Sequence, residues 1–194
     1  MDDGIDRAGG PLTKERSRIC RKADHYMRRT LARQASTDSN SESAPTAAPA
    51  ATLVVIDTNA LLDWLVFADP ALAPLAAAVT AGRARWITTS EMLGEWSAVL
   101  ARPLPERWES ARKRALTLEI ESLCELWPAP VPQAPAVLRC RDPDDQKFID
   151  LAIVCGARAV VTRDRALLQL RRRARAHGVD IVAPAQWVAA AVAD

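Results

Sequence analysis

Four carboxylates in this chain are spaced so that they can act together. Asp57 ends the apolar run Leu53-Val54-Val55-Ile56, and Asp164 follows Ala159-Val160-Val161-Thr162. Between them, Glu95 and Asp145 lie in segments of helical apolar spacing, each acid beside the apolar stripe. Acids held together on buried elements without basic partners repel one another unless a metal ion joins them. The chemistry this pattern points to is metal binding.

Each acid also has an ordinary explanation. An acid between a strand and a helix N-terminus is favourable by itself, because the helix dipole and free backbone N–H groups attract it. That covers Asp57 and Asp164, although Thr58 and Asn59 offer alternative caps for the first helix. Thr162, two residues before Asp164, is placed to hydrogen-bond across the same edge. At about 100° per residue, the helix at 90–101 centres its stripe near Leu93 and Trp96. Glu95 then falls at the border of the stripe and Glu91 points further toward water. A solvated flank is the ordinary reading of Glu95. In the helix expected at 143–155, Asp145, Phe148, Ile149 and Ala152 share one face, and Asp150 falls on the opposite side, expected at the surface. A carboxylate aimed along an apolar face needs a ligand or a place at the rim. Asp142, before Pro143, is balanced between capping and a metal role.

The elements that must position these acids alternate. A strand at Leu53–Ile56 runs into a helix containing Leu61, Leu62, Leu65 and Val66, and a helix at 70–81 stops at Gly82. A strand at 85–89 leads to the helix at 90–101, with Ser90 as its cap and Pro103 beyond its end. Residues 106–127 read as one long charged helical region, followed by a proline-rich turn (Pro128, Pro130, Pro132, Pro135) and a short strand at Val137-Leu138. The helix at 143–155 ends at Gly156. A strand at 159–162 precedes a helix at 164–176, and a last strand at Ile181-Val182 precedes a C-terminal helix opened by Pro184. Short apolar strands alternating with helices imply α/β architecture with a parallel sheet covered on both faces. Sites in such sheets form beyond the carboxyl ends of the strands, where Asp57 and Asp164 fall.

The 194 residues suggest one domain with an appendage. Residues 1–52 are basic, poor in large apolar side chains and end in a Ser/Ala/Pro-rich stretch that reads as a disordered extension and linker. Leu12, Ile19, Ala23, Met27 and Leu31 stand at roughly helical spacing within it. The folded domain is expected over 53–194. The net charge of +2 belongs to the extension, which holds 9 Lys/Arg and 7 Asp/Glu, leaving 17 of each for the domain. Nucleic-acid binding must therefore come from local patches. Arg171, Arg172, Arg173 and Arg175 cluster at a helix end, where cations are usually solvated. Arg139, Arg141, Lys147, Arg163 and Arg165 lie nearer the acids and are better candidates for phosphate contact. Four scattered cysteines and two histidines, all outside any Cys-x-x-Cys pattern, argue against structural zinc. They fit reduced thiols and a cytoplasmic location. No apolar stretch has the length of a membrane span, and the acidic N-terminus does not resemble a secretory signal.

Taken together, Val54-Val55-Ile56-Asp57-Thr58-Asn59, Ser90-x-x-Leu93-x-Glu95-Trp96-x-x-Val99-Leu100, Cys140-Arg141-Asp142-Pro143-Asp144-Asp145-Gln146-Lys147-Phe148-Ile149 and Val160-Val161-Thr162-Arg163-Asp164 resemble the PIN-domain family. The similarity is closest to the branch assigned to toxin components of bacterial toxin–antitoxin pairs, and it runs from about residue 53 to the C-terminus. It implies a three-layer α/β/α fold with a five-stranded parallel sheet and a Mg²⁺- or Mn²⁺-dependent nuclease acting on RNA. It also implies Asp57, Glu95, Asp145 and Asp164 as metal-binding and catalytic acids, with Asn59, Asp142 and Thr162 in support. Arg141, Lys147, Arg163 and Arg165 would contact substrate, and a cognate antitoxin and a homodimer are the partners to expect. Trp96 stands where tyrosine is common in the family, Gln146 where asparagine is frequent, and Arg163 where glycine is frequent. The competing expectations are a PIN-like module that binds without cutting and an α/β protein forming an aspartyl phosphate. The second lacks the acid that an Asp-x-Asp motif would supply, since residue 59 is Asn.

Overall fold

The computed structural model describes residues 51–128 and 130–187. Five strands form one parallel sheet in the order β3-β2-β1-β4-β5: β1 (Thr52–Ile56), β2 (Ala84–Thr88), β3 (Cys124–Leu126), β4 (Ala159–Val161) and β5 (Asp180–Val182). Helices α1 (Thr58–Leu65), α2 (Ala73–Thr80), α3 (Ser90–Leu100), α4 (Glu106–Leu116), α5 (Gln146–Cys155), α6 (Arg165–Gln169) and α7 (Arg171–Arg175) connect the strands and cover both faces. The expected α/β architecture and parallel sheet are what the chain adopts.

The strands are short and apolar because the central ones are covered on both faces. Side chains alternate across a strand. Val54 and Ile56 of β1, Trp86 of β2 and Val161 of β4 enter one core with Leu61, Leu72, Leu75, Trp96 and Leu100. Val55 and Val160 face the other way, where α5 packs on β1 and β4 and buries Phe148, Ile149, Leu151 and Ala152. Burying a side chain of this size stabilises by about 1.5–3 kcal/mol, so α5 is held firmly against the strands whose ends carry Asp57 and Asp164.

Four of the five expected strands form where expected, and one does not. Val137-Leu138 belongs to a single 3₁₀ turn over Ala136–Leu138, while the third strand is Cys124–Leu126. The long helical region at 106–127 therefore ends at Leu116, and its tail turns to pair with β2, Thr88 opposite Leu126. Arg85 of β2 grips Glu125 of β3 with two hydrogen bonds, a pairing across 40 residues. Tertiary pairing overrides local helical spacing there. Three boundaries also move. The helix expected at 70–81 is a 3₁₀ turn at Pro70–Leu72 followed by α2. The one at 143–155 begins only at Gln146, and the one at 164–176 breaks at Leu170 into α6 and α7. Gly82 and Gly156, at φ +68° and +65°, mark stops in the left-handed conformation that glycine adopts without steric cost. After β5 the chain makes a 3₁₀ turn at Pro184–Gln186. The C-terminal helix beyond it, the helical spacing at 12–34, Cys20 and His25 lie outside the described residues.

Candidate active site

Sheet register brings the first two acids together. Ile56 pairs with Val161, so the next residues, Asp57 and Thr162, sit side by side at the carboxyl edge. The Asp57 backbone N–H donates to the Val161 carbonyl at 3.0 Å. Asp57 is only 2% exposed. Its Oδ1 accepts the Asn59 backbone N–H at 3.0 Å and its Oδ2 accepts the Thr162 hydroxyl at 2.6 Å. Asp57 thus caps α1 itself, and Thr58 and Asn59 do not take that role. The Asn59 side chain is exposed. Thr162 Oγ1 in turn accepts the Asp164 backbone N–H at 2.8 Å. Asp164 caps α6 through Oδ1 alone, which accepts Ala166 and Leu167 N–H. Capping takes one oxygen of each carboxylate, so it does not exclude a site role for either acid.

Asp145 stands at the N-cap position of α5, yet its side chain makes no capping bond. Asp142 is exposed and forms a local turn by accepting the Asp144 backbone N–H at 3.0 Å. Helix α5 starts after that turn, at Gln146, and the Asp145 carboxylate caps nothing among the described residues. Its pKa is pushed up to about 6 by burial first and then by the nearby charges of Asp164, Asp57 and Asp142, with Lys147 opposing. Burial also raises the Asp57 carboxyl, against the lowering hydrogen bonds from Thr162 and Asn59, and Asp164 and Glu95 add repulsion. Asp57 thus feels the charge of Asp164 and Glu95, and Asp145 that of Asp164 and Asp57, so the four acids of α3, the start of α5 and the ends of β1 and β4 lie in one neighbourhood.

Glu95 closes the cluster. Helical phase separates it from Glu91 as expected: Glu95 is half-buried and Glu91 exposed. Glu95 Oε2 is buried and accepts no hydrogen bond, although the Lys147 ammonium lies at 2.8 Å, badly aligned for one. Lys147 also donates to the Asp144 carbonyl. Expected as a phosphate contact, Lys147 here is the counter-charge of an acid. Arg163 likewise lies in contact with two carboxylates, Asp63 and Asp69. Arg141 and Arg165 are exposed and make no ion pair among the described residues.

The sequence reading missed one supporting network. Asp150, expected at the surface, is buried: its Oδ1 accepts the Ala134 N–H at 2.7 Å and the Gln146 side-chain amide at 2.8 Å. Gln146 Oε1 accepts the Cys140 N–H at 2.7 Å. The two side chains, one helical turn apart, tie the segment around 134–140 onto the helix that presents Asp145. The i, i+4 spacing of Gln146 and Asp150 was the available signal.

A model of the PIN domain matches residues 53–166, more than half of the chain. The chain belongs to the PIN-domain family. No curated protein matches it. PIN domains are typically nucleases. Among the described residues, no three His, Cys, Asp or Glu side chains converge tightly enough to hold an ion as they stand. The donor set nevertheless fits a hard divalent cation. Every ligand on offer is a carboxylate oxygen, and Asp57 and Asp145 each feel the charge of the other acids; Glu95 Oε2 would have to exchange its Lys147 ion pair for the metal.

Proposed function

We propose that this PIN domain is a metal-dependent endoribonuclease whose site is formed by Asp57, Glu95, Asp145 and Asp164. The observation that carries the reading is the gathering of acids from four elements at one sheet edge, where burial first and the neighbouring carboxylates second push Asp145 up to about 6. A cluster of this kind is costly without a cation and favourable with one.

The four acids would hold Mg²⁺ or Mn²⁺, which when bound makes water a nucleophile near neutral pH and offsets charge on the phosphodiester. The chain's own groups supply positioning. Thr162 fixes the Asp57 carboxylate by donating to Oδ2 and fixes Asp164 by accepting its N–H. Asn59 and Asp142 shape the turns on either side. Arg141 and Arg165, exposed beside the cluster, are the groups best placed to take substrate phosphates, and Lys147 and Arg163 could join only by leaving their present carboxylates. The similarity to the toxin branch extends the proposal to a toxin paired with an antitoxin protein, acting in the cytoplasm as a monomer or homodimer.

The second reading is a PIN-like module that binds without cutting. The Lys147–Glu95 contact favours it, since it neutralises one acid without a metal. The test is cleavage of RNA with added Mg²⁺ or Mn²⁺ by the wild type, Asp57→Asn and Asp145→Asn. The proposal expects cleavage by the wild type that chelator stops, and none by either variant while both keep the wild-type circular dichroism. Undiminished cleavage by both variants would sink it.

A further inference from the structure

Lys147 sits deeper than most lysines. Its side chain is only 19% exposed, and lysines leave the surface only when they are paired. Three groups surround its ammonium. Glu95 Oε2 lies at 2.8 Å, the Asp144 carbonyl accepts a hydrogen bond from it, and the Phe148 ring centroid is 5.2 Å away. Asp144 and Phe148 are its own neighbours in the chain, whereas Glu95 comes from α3. Among the described residues, this is the one ion pair joining α3 to α5.

The contact with Glu95 is short but not directional, since Oε2 accepts no hydrogen bond. What holds it is the attraction of two charges rather than an aligned donor and acceptor. An ammonium is a compact point charge on a flexible stem, so it can supply charge without a fixed direction. A divalent cation does the same with twice the charge. The charge of Lys147 also reaches Asp145, where it opposes the rise of that carboxyl. Lys147 thus serves two of the four acids as a cation. It also lines a cavity of about 410 Å³ with Ser90, Met92 and Trp127, so its stem has open space to move into.

We propose that Lys147 is a built-in counter-cation of the acid site, which a divalent metal must displace from Glu95, and that this exchange sets the metal affinity. The inference rests on the metal-site reading and adds its regulation. Without metal, the ion pair neutralises one acid and lets the four stay together in the folded chain. With metal, Glu95 gives its oxygen to the ion, and the ammonium keeps Asp144 and Phe148 while losing its hold on α3. Competition for one carboxylate makes the coupling reciprocal. Removing the ammonium tightens metal binding, and metal binding frees the amine.

Two measurements on the full chain test this exchange. In calorimetric titration with Mn²⁺, Lys147→Met should bind about fivefold tighter than the wild type, the effect of removing one partly exposed ion pair. The gain should vanish in the Glu95→Gln background, where the ammonium has no carboxylate to hold. A gain of the same size there means plain repulsion between ammonium and metal, and would overturn the proposal. The second measurement needs no variant. Lys147 is acetylated with an amine-reactive reagent and followed by mass spectrometry, with exposed Lys113 of α4 as the reference. Saturating Mn²⁺ should speed acetylation of Lys147 and leave Lys113 unchanged. Equal Mn²⁺ affinity of the wild type and Lys147→Met, or acetylation of Lys147 unmoved by Mn²⁺, would also overturn it. In those cases saturable Mn²⁺ binding by the wild type still upholds the metal site. No binding by either protein removes the site and the exchange together.

Discussion

Thr162 touches two of the acids, one through its carboxylate and one through its backbone. Its hydroxyl donates to Asp57 Oδ2 and accepts from the Asp164 backbone N–H, so one fully buried side chain holds the Asp57 carboxylate and the Asp164 backbone. Thr162→Val keeps the shape and removes both bonds. Residues that orient metal ligands typically contribute about 10–100-fold to metal affinity or activity, and a loss of that size, with Asp57 and Asp164 intact, is expected in a metal-dependent cleavage assay. The same acids make the stability of the metal-free protein depend on pH. Asp145 is raised from 3.8 to about 6, and Asp57 is raised as well. Between those values the folded protein holds protons that the unfolded chain releases, so stability falls as pH rises from about 4 to about 6 and then levels. Melting temperatures in chelator should show that fall. Asp145→Asn should flatten it and melt above the wild type near neutral pH.

At the scale of elements, the acid edge relies on α5 being tied to the segment that crosses it. Asp150→Ala leaves the Ala134 N–H and the Gln146 amide without their carboxylate acceptor. Unsatisfied buried donors cost about 1–3 kcal/mol, which chemical denaturation should report as a lowered midpoint. This network also shows what periodicity cannot reach. Helical phase distinguishes Asp145 from Asp150 correctly as facing different sides, but it does not say that the 134–140 segment covers the second side. Phase equates "opposite the stripe" with "solvent", and here that is wrong. The third strand was hidden for a related reason: Leu116, Leu118, Leu123 and Leu126 mimic helical spacing, while the partners that make 124–126 a strand are in β2, including Arg85 forty residues away. Ser90 was expected to cap α3, and Thr89, one residue earlier, does so. The central strands were readable because burial on both faces leaves an unbroken apolar run that needs no distant partner to recognise.

For the whole molecule, the parallel sheet is the device that collects the acids. Strands running in one direction place Asp57 and Asp164 at the same edge through adjacent β1 and β4, and α3 and α5 bring Glu95 and Asp145 to it. Four acids far apart in sequence become neighbours only when the sheet order puts β1 beside β4. That adjacency was legible through the resemblance of four motifs in register rather than through any single residue. The contacts of Lys147 with Glu95 and of Arg163 with Asp63 and Asp69 were not legible, since nothing in local sequence fixes where a long cationic side chain ends. The most direct test of the central claim is calorimetric titration of Mn²⁺ into the wild type, Asp57→Asn and Asp145→Asn near neutral pH. The wild type should bind saturably, with affinity that weakens as pH falls through about 6, and each variant should bind at least about tenfold more weakly. A wild type that takes up no Mn²⁺, or variants that bind it as tightly as the wild type, would contradict a metal site built from these four carboxylates.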